Sequence, residues 1–515
     1  MTKHCIISQI FNYLYPPTIN PMSGDIFILP ITFSMDQLVN QIFQPLVRFL
    51  DTVLFWDPFQ LLGIDLNVKV PFIIIWLIAA AFFFTFYFRF VNLSGMKHAW
   101  ELVIGKYDKD GHQGEISHFQ ALATATASTV GLGNIAGVAV AITMGGPGAT
   151  FWLIVAGFLG MTTKFVECTL GVKYRKINAD GSVSGGPMYY LRDGLAQKGM
   201  AKTGKFLAAI FAIFASIGTF GIGNMFQSNQ LVAQVVTTFP AMQGNQLYIG
   251  LILAMLVGVV IIGGIKGIAR VNDKLFPIMA VIYILSALTV IVINYQHVGE
   301  ACMHIFRGAF TPDGIQGGVI GVMIIGFRRA AFSNEAGIGS AAIAHSTVKT
   351  QKPITEGFVA LLEPFIDTVV ICTLTALVII TTGLQHNPEG LAGTQLTSAA
   401  FSTVASWFPY LLLPTIILFA YTTIIAWSYY GVKSIDYLLG DLVEQKTGKR
   451  ILVTRIYQII FIAITALGSV LSLEAVVDFS DMLILAMAMP NIIGLYILAP
   501  VVKKELKEYR KSFKN

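Results

Sequence analysis

The chain has 515 residues, of which 55% are hydrophobic and 12% charged, with a mean hydropathy of +0.70 and a formal net charge of +6. This composition excludes a soluble globular protein and indicates a polytopic membrane protein. The four cysteines are scattered, without a CxxC pair or a His–Cys cluster, so neither a disulfide framework nor a zinc site is predicted.

Residues 1–66 are predicted to form an extracytoplasmic N-terminal extension. They lack the basic, apolar and small-residue order of a signal peptide. Within them, Ser34–Trp56 has apolar residues at helical spacing and polar residues elsewhere. This pattern predicts an amphipathic helix on the membrane surface, with a partner-facing helix as the alternative.

Long uncharged runs predict eleven membrane spans in one integral-membrane domain over residues 67–502, followed by a basic tail at 503–515. The first is Val70–Phe88, and Ile116–Thr163 and Phe206–Ile265 supply two each. The other predicted spans are Leu275–Gln296, Gln316–His345, Gly357–Gly383, the second part of Gly390–Val432, Ile456–Leu473 and Met482–Val502.

The distribution of Lys and Arg predicts the orientation. With the basic C-terminal tail in the cytoplasm, eleven spans place the N-terminus outside. The outside segments then hold only Lys3, Arg48, Lys69 and Arg307, while most other Lys and Arg lie in or next to cytoplasmic loops. We therefore predict a multi-pass protein of the cell inner (plasma) membrane.

The stretch Thr124–Pro147 is unusual for a span because small and polar residues, among them Gly131, Gly133 and Asn134, lie near its middle. Such a sequence weakens a helix, and unwound backbone at membrane depth is tolerated only where it lines a cavity or is buried in protein. A broken helix at the midplane is typical of secondary transporters.

A second interrupted span supports this interpretation. If the first span is an extra one, the others divide into five plus five, and an inverted repeat predicts another irregular helix at the start of the second half. Gly317–Ser346 contains that irregularity at Gly337–Ser340. The alternative is that these small residues only allow close helix packing. The predicted fold is all-α, with a discontinuous first core helix in each half.

Several motifs together resemble the alanine or glycine:cation symporter family of the amino acid-polyamine-cation superfamily. They are ASTVGLGNIAGVAV (127–140), GGPGATFW (145–152), GMTTKFVECTLGVKYR (160–175), GGPMYY (185–190), GIGNMFQSN (221–229), FSNEAGIGSA (332–341), EPFIDT (363–368) and AWSYYG (426–431). The run at 130–134 also looks like the unwound first helix of neurotransmitter:sodium symporters. The resemblance implies the five-plus-five, leucine-transporter-type fold and cation-coupled uptake of alanine, glycine or a similar small amino acid.

The first break offers donors and acceptors for such a solute. Freed N–H groups near Gly131 and Gly133 suit a carboxylate. Freed carbonyls around Ala127 and Val130 suit Na⁺ as the co-transported ion, and Ser128, Thr129 and Asn134 add side-chain oxygens. The alternative for Ser and Thr is a hydrogen bond to the preceding helical turn.

The resemblance supplies further site residues. It implies that Gln227 contacts the substrate, whereas interhelical hydrogen bonding is the alternative for the nearby Asn229. Thr423 and Trp427 lie one turn apart on one helix face. The resemblance implies that Thr423 binds the solute and Trp427 caps its pocket, and that Thr422 and Thr423 complete a sodium site. An interfacial aromatic belt is the alternative for Trp427.

Charged residues within the spans are functional candidates by default. We interpret most of them as gate or structural ion pairs, and Asp367 as the candidate for a proton-linked role. The set comprises Lys164, Glu167, Arg328, Arg329, Glu335, Glu363 and Asp367.

The predicted function is a secondary active symporter rather than an enzyme. No HExxH, DxxD, GxSxG or Walker A pattern occurs, which disfavours a membrane enzyme and ATP-driven transport. A proton-coupled transporter of the same fold and a channel are the alternatives. The predicted partners are the small amino acid, Na⁺ and the bilayer, without a resident cofactor or nucleic acid; no oligomeric state is predicted.

Overall fold

Helices make up nearly all the regular structure in the computed structural model, which describes residues 48, 50–107, 113–311, 318–386 and 390–512. The predicted surface helix at Ser34–Trp56 lies largely outside these residues and stays a prediction. The helices named below are α1 (Phe72–Tyr87), α2 (His118–Thr129), α3 (Val138–Gly145), α4 (Gly148–Lys173), α5 (Ala201–Gly218), α6 (Phe226–Thr238), α7 (Gln246–Ile261), α8 (Gly264–Ile293), α9 (Tyr295–Phe310), α10 (Gly318–Asn334), α11 (Ala341–His345), α12 (Pro353–Ala360), α13 (Thr373–Thr381), α14 (Thr394–Ser402), α15 (Phe408–Thr447), α16 (Ile451–Gly468) and α17 (Leu473–Lys511).

Smaller elements join these helices. Short helical turns lie at Pro58–Leu61, Val91–Ser94, Met96–Val103, Pro187–Tyr189, Pro240–Met242, Leu362–Pro364 and Leu384–His386. The antiparallel strands β1 (Lys176–Ile177) and β2 (Val183–Ser184) pair in the register Lys176↔Ser184 and Ile177↔Val183. Four segments are π-helical, a form frequent at functional sites: Gly133–Gly137, Tyr190–Gly194, Gly221–Met225 and Phe365–Cys372.

The apolar helices agree with the predicted polytopic topology. In the described residues, seven helices are long and apolar enough to cross a membrane, and the bent pair α2–α3 raises this number to eight. The shorter apolar helices α1 and α7 and the interrupted pair α10–α11 correspond to the other three predicted spans. The order of these helices agrees with the predicted division into one extra helix and two sets of five. Because five is odd, the second set begins on the opposite side of the membrane from the first.

Local sequence explains where the first core helix begins and ends. Ser117 caps α2 in a capping box with Gln120, with reciprocal hydrogen bonds of 3.2 Å. At the other end of the span, the left-handed Gly146 (φ 63°) and Pro147 separate α3 from α4. The hinge predicted at residues 145–148 is therefore where the chain turns.

Two long helices organise the packing. Helix α4 packs against α1, α10 and α12, and α15 packs against α2, α5, α8 and α16. The second part of Gly390–Val432 begins α15 as predicted, whereas its first part forms α14. Helix α9 was not predicted, because its mixed composition carries no spanning signal.

Helix α17 extends beyond the predicted span Met482–Val502 at both ends, and its last turns include most of the predicted basic tail. Leu506 and Tyr509 are buried on one face, and Glu505 reaches Lys173 of α4 at 2.6 Å. These contacts explain why the helix continues after its apolar part ends.

Candidate functional site

The first core helix is broken at the predicted position. Helix α2 ends at Thr129, Val130 leaves the helical conformation with ψ 82°, and the π-helical turn begins at Gly133. The two halves are bent by 50°. Because the break is fully buried, its backbone groups are available only to other parts of the protein or to a bound solute.

Gly131 is the point of closest approach at the break. A Cβ atom there would lie 2.6 Å from Thr423 Oγ1 and 3.0 Å from Gln227 Oε1, so a larger residue would require these side chains to move. A Cβ at Gly133 would meet only Phe332 Cδ1 at 3.4 Å, an ordinary contact. The two glycines, which are alike in the sequence motif, therefore face different surroundings.

Helix α15 contributes two donors to the carbonyls that end α2. The Thr423 hydroxyl donates to Ala127 O at 2.8 Å, and the Trp427 indole donates to Ser128 O at 3.2 Å. These bonds satisfy carbonyls that the break would leave without partners. The structure thus brings Ala127, Ser128, Thr423 and Trp427 together.

Trp427 is fully buried, which excludes the alternative of an interfacial belt. Its ring packs on Gly223, where a Cβ would lie 2.0 Å from Trp427 Cγ. It also meets Tyr430 at a centroid distance of 5.4 Å. Gly223, in the π-helical turn between α5 and α6, therefore makes the space for this tryptophan.

The N–H groups of the break face amide oxygens. Leu132 N donates to Gln227 Oε1 at 3.0 Å. Gly131 N donates to Thr129 O at 2.8 Å and also to Asn134 Oδ1 at 3.2 Å. Gln227 is held in turn by its donation to Ile222 O at 3.0 Å. Two neutral oxygens thus lie where a carboxylate would accept from the same N–H groups.

Asn134 connects the break to a buried carboxylate. Its Nδ2 donates to Asp367 Oδ1 at 2.5 Å and to the Asp367 carbonyl at 3.0 Å. The hydroxyls of Ser333 and Thr368 both donate to Asp367 Oδ2 at 2.6 Å. This group joins the first core helix, the end of α10 and the π-helical turn at Phe365–Cys372 through oxygen-rich side chains.

Three other predicted site residues, Ser128, Val130 and Thr422, donate to carbonyls of the preceding helical turn. Ser128 Oγ donates to Ala125 O at 2.7 Å and lies 3.0 Å from the Tyr430 hydroxyl. Val130 N donates to Thr126 O at 2.6 Å. The Thr422 hydroxyl donates to Leu418 O at 2.9 Å on its own helix and lies beside Met279 of α8 rather than at the break.

The second break falls at the predicted segment Gly337–Ser340. Its backbone is left-handed at Glu335 (φ 57°), Gly337 (φ 90°) and Gly339 (φ 92°). Asn491 of α17 donates to Gly337 O at 2.8 Å, and the Ser340 hydroxyl donates to the Glu335 carboxylate. This break is therefore closed by its own conformation and by fixed side chains.

Buried ionisable groups from several helices form a connected series between α2 and α4. His118 Nδ1 lies 2.5 Å from Glu356 Oε2, and Glu356 Oε1 lies 2.5 Å from His345 Nδ1. His345 Nε2 is 3.6 Å from Glu363 Oε2, and Glu363 Oε1 accepts from Lys164 Nζ at 2.9 Å. Lys164 thus forms one of the expected ion pairs, with Glu363 on a different helix, whereas Glu167 accepts from Asn491 Nδ2 at 2.6 Å instead.

The charges at Arg328 and Arg329 find a partner that the sequence did not indicate. Both guanidinium groups contact the carboxylate of Asp481 on α17, Arg328 through Nε at 2.8 Å. Asp481 is buried, so this contact ties α10 to α17.

Sequence reasoning missed Asp481, Tyr430, Gly223 and Asn491 as neighbours of the two breaks. The GIG triplet at 221–223 repeats the small-residue pattern of the first break and could have indicated a close approach. Asn491 and Asp481 carry no local signal, because their partners lie more than a hundred residues away in the chain.

Known proteins similar to this chain give a consistent result. The sequence profile of the sodium:alanine symporter family matches residues 62–515. The sodium/alanine symporter AgcS of Methanococcus maripaludis is 40% identical over 448 residues, covering 86% of this chain and 95% of that protein. The amino-acid carrier protein AlsT of Bacillus subtilis is 34% identical, covering 87% of this chain and 92% of its own.

Among solved structures, MhsT in complex with L-phenylalanine aligns with a TM-score of 0.47 at 14% identity, covering 77% of this chain and 100% of that one. The two sequence relatives and the family profile each cover most of the chain. On these grounds, the chain belongs to the sodium:alanine symporter family.

Proposed function

We propose that this protein is a secondary active symporter that couples inward Na⁺ flux to the uptake of a small neutral amino acid, alanine or glycine, by alternating access. The observation that carries the proposal is the first break. There, backbone N–H groups face exchangeable amide oxygens, and backbone carbonyls face hydroxyl and indole donors.

The substrate carboxylate would take the place of the neutral oxygens at the break. The N–H groups of Gly131 and Leu132 lie just before the second half-helix, which begins at Gly133 and whose dipole favours negative charge there. Gln227 Oε1 would leave Leu132 N and accept from the substrate ammonium instead. The bulk of Trp427 beside the break supports a limit to a small side chain, with Gly133 and Thr423 as further contacts.

The cation would bind oxygen atoms at the same break. Na⁺ is a hard cation, like Ca²⁺ and Mg²⁺, for which oxygen ligands are suited. We propose the carbonyls of Ala127 and Val130 with Asn134 and Thr423 as ligands, and Thr422 as a neighbour that would need a different rotamer. Asp367, bonded to Asn134, adds the negative charge that a cation needs at membrane depth.

The proposed orientation has the N-terminus outside and the C-terminus in the cytoplasm of a bacterial-type inner membrane. The basic residues at the end of α17 support this, together with the scarcity of Lys and Arg in the predicted outside segments. In this orientation α2 enters from the cytoplasm, and α3 leaves on the outside.

Uptake of labelled alanine into proteoliposomes containing the purified chain tests the proposal. We expect saturable uptake that requires an inward Na⁺ gradient and that unlabelled glycine reduces by competition. Uptake that never saturates would indicate a channel. Absence of uptake for every small neutral amino acid would overturn the proposal.

The Asp367→Asn variant tests the cation component separately. The amide would point a donor at a place where Asn134, Ser333 and Thr368 already donate, and it would remove the negative charge. We expect the Na⁺ stimulation of uptake to fall by at least about tenfold, since one charged hydrogen-bonded group contributes about 1.5–3 kcal/mol. Glu505→Gln, near the end of α17, is the matched control and should keep the stimulation.

The chain His118–Glu356–His345–Glu363–Lys164 supports a second candidate, a proton as the coupled ion. With both histidines neutral, Glu356 and Glu363 share only the ammonium of Lys164 within this series of groups, whereas a proton on a histidine would add a second cationic partner. A buried unbalanced charge is costly, so a bound proton would stabilise the chain of groups.

Varying Na⁺ and pH independently separates the two candidates. Alanine uptake driven by an imposed proton gradient without Na⁺, and lost in His345→Gln, would favour the proton. Uptake that follows Na⁺ alone at every pH, with His345→Gln affecting only the yield of folded protein, would favour Na⁺.

A further inference from the structure

A basic cavity of about 470 Å³ lies where α1 and α17 leave their apolar stretches. Its apolar walls are Tyr87, Phe88 and Leu506. Five cationic side chains complete the lining: Arg89, Lys503, Lys507, Arg510 and Lys511. The volume is in the range of small-molecule sites.

The cations of this cavity are not neutralised by the protein. Across the part of the chain that the structure describes, none of the five takes part in an ion pair. The nearby acids of α17 are directed elsewhere: Glu505 pairs with Lys173 at 2.6 Å, and Glu508 lies 3.9 Å from Lys504. Because α17 separates its acids from this face, the cavity retains a concentrated positive charge that an anion would balance.

An exposed aromatic row on α1 leads to the cavity. Phe82, Phe86 and Phe90 are 41%, 62% and 38% exposed. Their rings follow one another at centroid distances of 6.4 Å and 5.3 Å. Phe86 and Phe90 flank Tyr87–Arg89 in the chain, so an apolar surface and a cationic cavity adjoin. This combination suits a ligand with acyl chains and an anionic head.

The backbone at the end of α1 holds an unfavourable conformation at the same place. Arg89 (φ 54°) and Phe90 (φ 55°) are both left-handed, although neither is glycine. Phe90 N closes the turn by donating to Thr85 O at 2.9 Å. Such a conformation is unfavourable for residues with a Cβ, yet it keeps Arg89 at the cavity.

We propose that this cavity binds the headgroup of an anionic phospholipid, with its acyl chains against the exposed phenylalanines of α1. Basic cavities between membrane helices at the cytoplasmic side are suited to such headgroups. Five cations exceed what one phosphate balances. A two-phosphate lipid of the cardiolipin type therefore binds more tightly than phosphatidylglycerol, and neutral phosphatidylcholine binds weakly.

Lipid titration of the purified full chain in a neutral detergent tests this site. Native mass spectrometry counts the bound lipid, and the shift in apparent melting temperature gives its affinity. We expect affinity in the order cardiolipin, phosphatidylglycerol, phosphatidylcholine. The triple variant Lys503→Gln, Lys507→Gln, Arg510→Gln should bind cardiolipin on the order of 100-fold more weakly, at roughly fivefold per cation.

A matched triple variant distinguishes cardiolipin binding in this cavity from nonspecific electrostatic attraction of the lipid to the protein surface. Lys202→Gln, Lys446→Gln and Lys449→Gln remove the same charge from exposed positions outside the cavity lining. Retained cardiolipin affinity in this control supports the site. Equal weakening in both triple variants would overturn it, and so would equal stabilisation by inorganic phosphate at matched phosphate concentration, since that would indicate a soluble anion.

Arg89→Asn keeps the proposal testable if the triple variant does not fold. Asparagine adopts the left-handed conformation more readily than arginine, so this variant should be at least as stable as the parent protein in detergent. Its cardiolipin affinity should fall about fivefold. An unchanged affinity would overturn the proposal.

Discussion

The two broken helices occupy equivalent places in the two halves of the chain but are closed in different ways. At the first break, side chains from other helices satisfy the backbone, chiefly Thr423, Trp427 and Gln227. At the second, left-handed residues and the Glu335–Ser340 contact close most of the break from within, and Asn491 of α17 adds one bond to Gly337 O. Bonds to side chains can be exchanged for bonds to a ligand, whereas a backbone conformation cannot. The first break is therefore suited to binding and the second to holding the helices in place.

The largest expected effect separates the two glycines of the first break. Gly131→Ala should reduce alanine uptake on the order of 10- to 100-fold, because its methyl group would overlap Thr423 Oγ1 and Gln227 Oε1, and overpacking costs about 1–3 kcal/mol. Gly133→Ala, whose methyl group would meet Phe332 Cδ1 at 3.4 Å, should reduce uptake less than Gly131→Ala does. Equal uptake by the two variants in proteoliposomes would contradict the proposed lack of space at Gly131.

A second test places a charge at the hydrogen bond between Leu132 N and Gln227, which the substrate carboxylate is proposed to replace. Gln227→Glu would offer Leu132 N a carboxylate in competition with that of the substrate, and charged acceptors bind about twice as strongly as neutral ones. We expect the KM for alanine to rise on the order of tenfold. Gln227→Met, which adds no charge, should raise it less. A KM for Gln227→Glu equal to that of the parent protein would speak against carboxylate binding at this N–H group.

A substitution at the second break should lower the stability of the protein rather than its affinity for alanine. Gly339→Ala introduces a Cβ at φ 92° and within 2.6 Å of Pro187 Cγ. We expect a loss of about 1–3 kcal/mol in unfolding free energy, measured as a lower apparent melting temperature, with the KM for alanine unchanged.

Gly383→Ala measures how much of that loss of stability comes from the backbone conformation alone, without a steric clash. Gly383 has a similar φ of 79°, and nothing lies within 4 Å of its added Cβ. Its loss of stability should therefore be the smaller of the two. A changed KM without a change in stability in Gly339→Ala would indicate that the second break also binds substrate.

The smallest expected effect on alanine itself concerns Trp427. Trp427→Phe removes the donor to Ser128 O and some bulk beside the break, so alanine uptake should fall only a few-fold, as expected for the loss of one neutral hydrogen bond of about 1 kcal/mol. Competition by larger amino acids should increase. An unchanged range of competitors would contradict the role of Trp427 as a cap.

Much of this architecture could be predicted from the chain alone. Uncharged runs located the spans, because a membrane requires about 20 apolar residues per crossing. Clustered glycines located both breaks, because glycine weakens a helix locally. The side chains that meet the first break were indicated chiefly by resemblance, since no local rule joins Gln227 or Trp427 to partners that lie 95 and 299 positions away in the chain.

The sequence by itself determined the class of protein and the positions of both breaks, since each depends on the local balance of apolar, polar and glycine residues. Only the tertiary structure decided that Gly131 lacks space whereas Gly133 does not, and that Thr422 turns away from the break. It also decided that Asp367 joins Asn134 and that the buried charges pair across helices. Distances between residues far apart in the chain depend on how helices pack, and hydropathy and spacing carry no record of that packing.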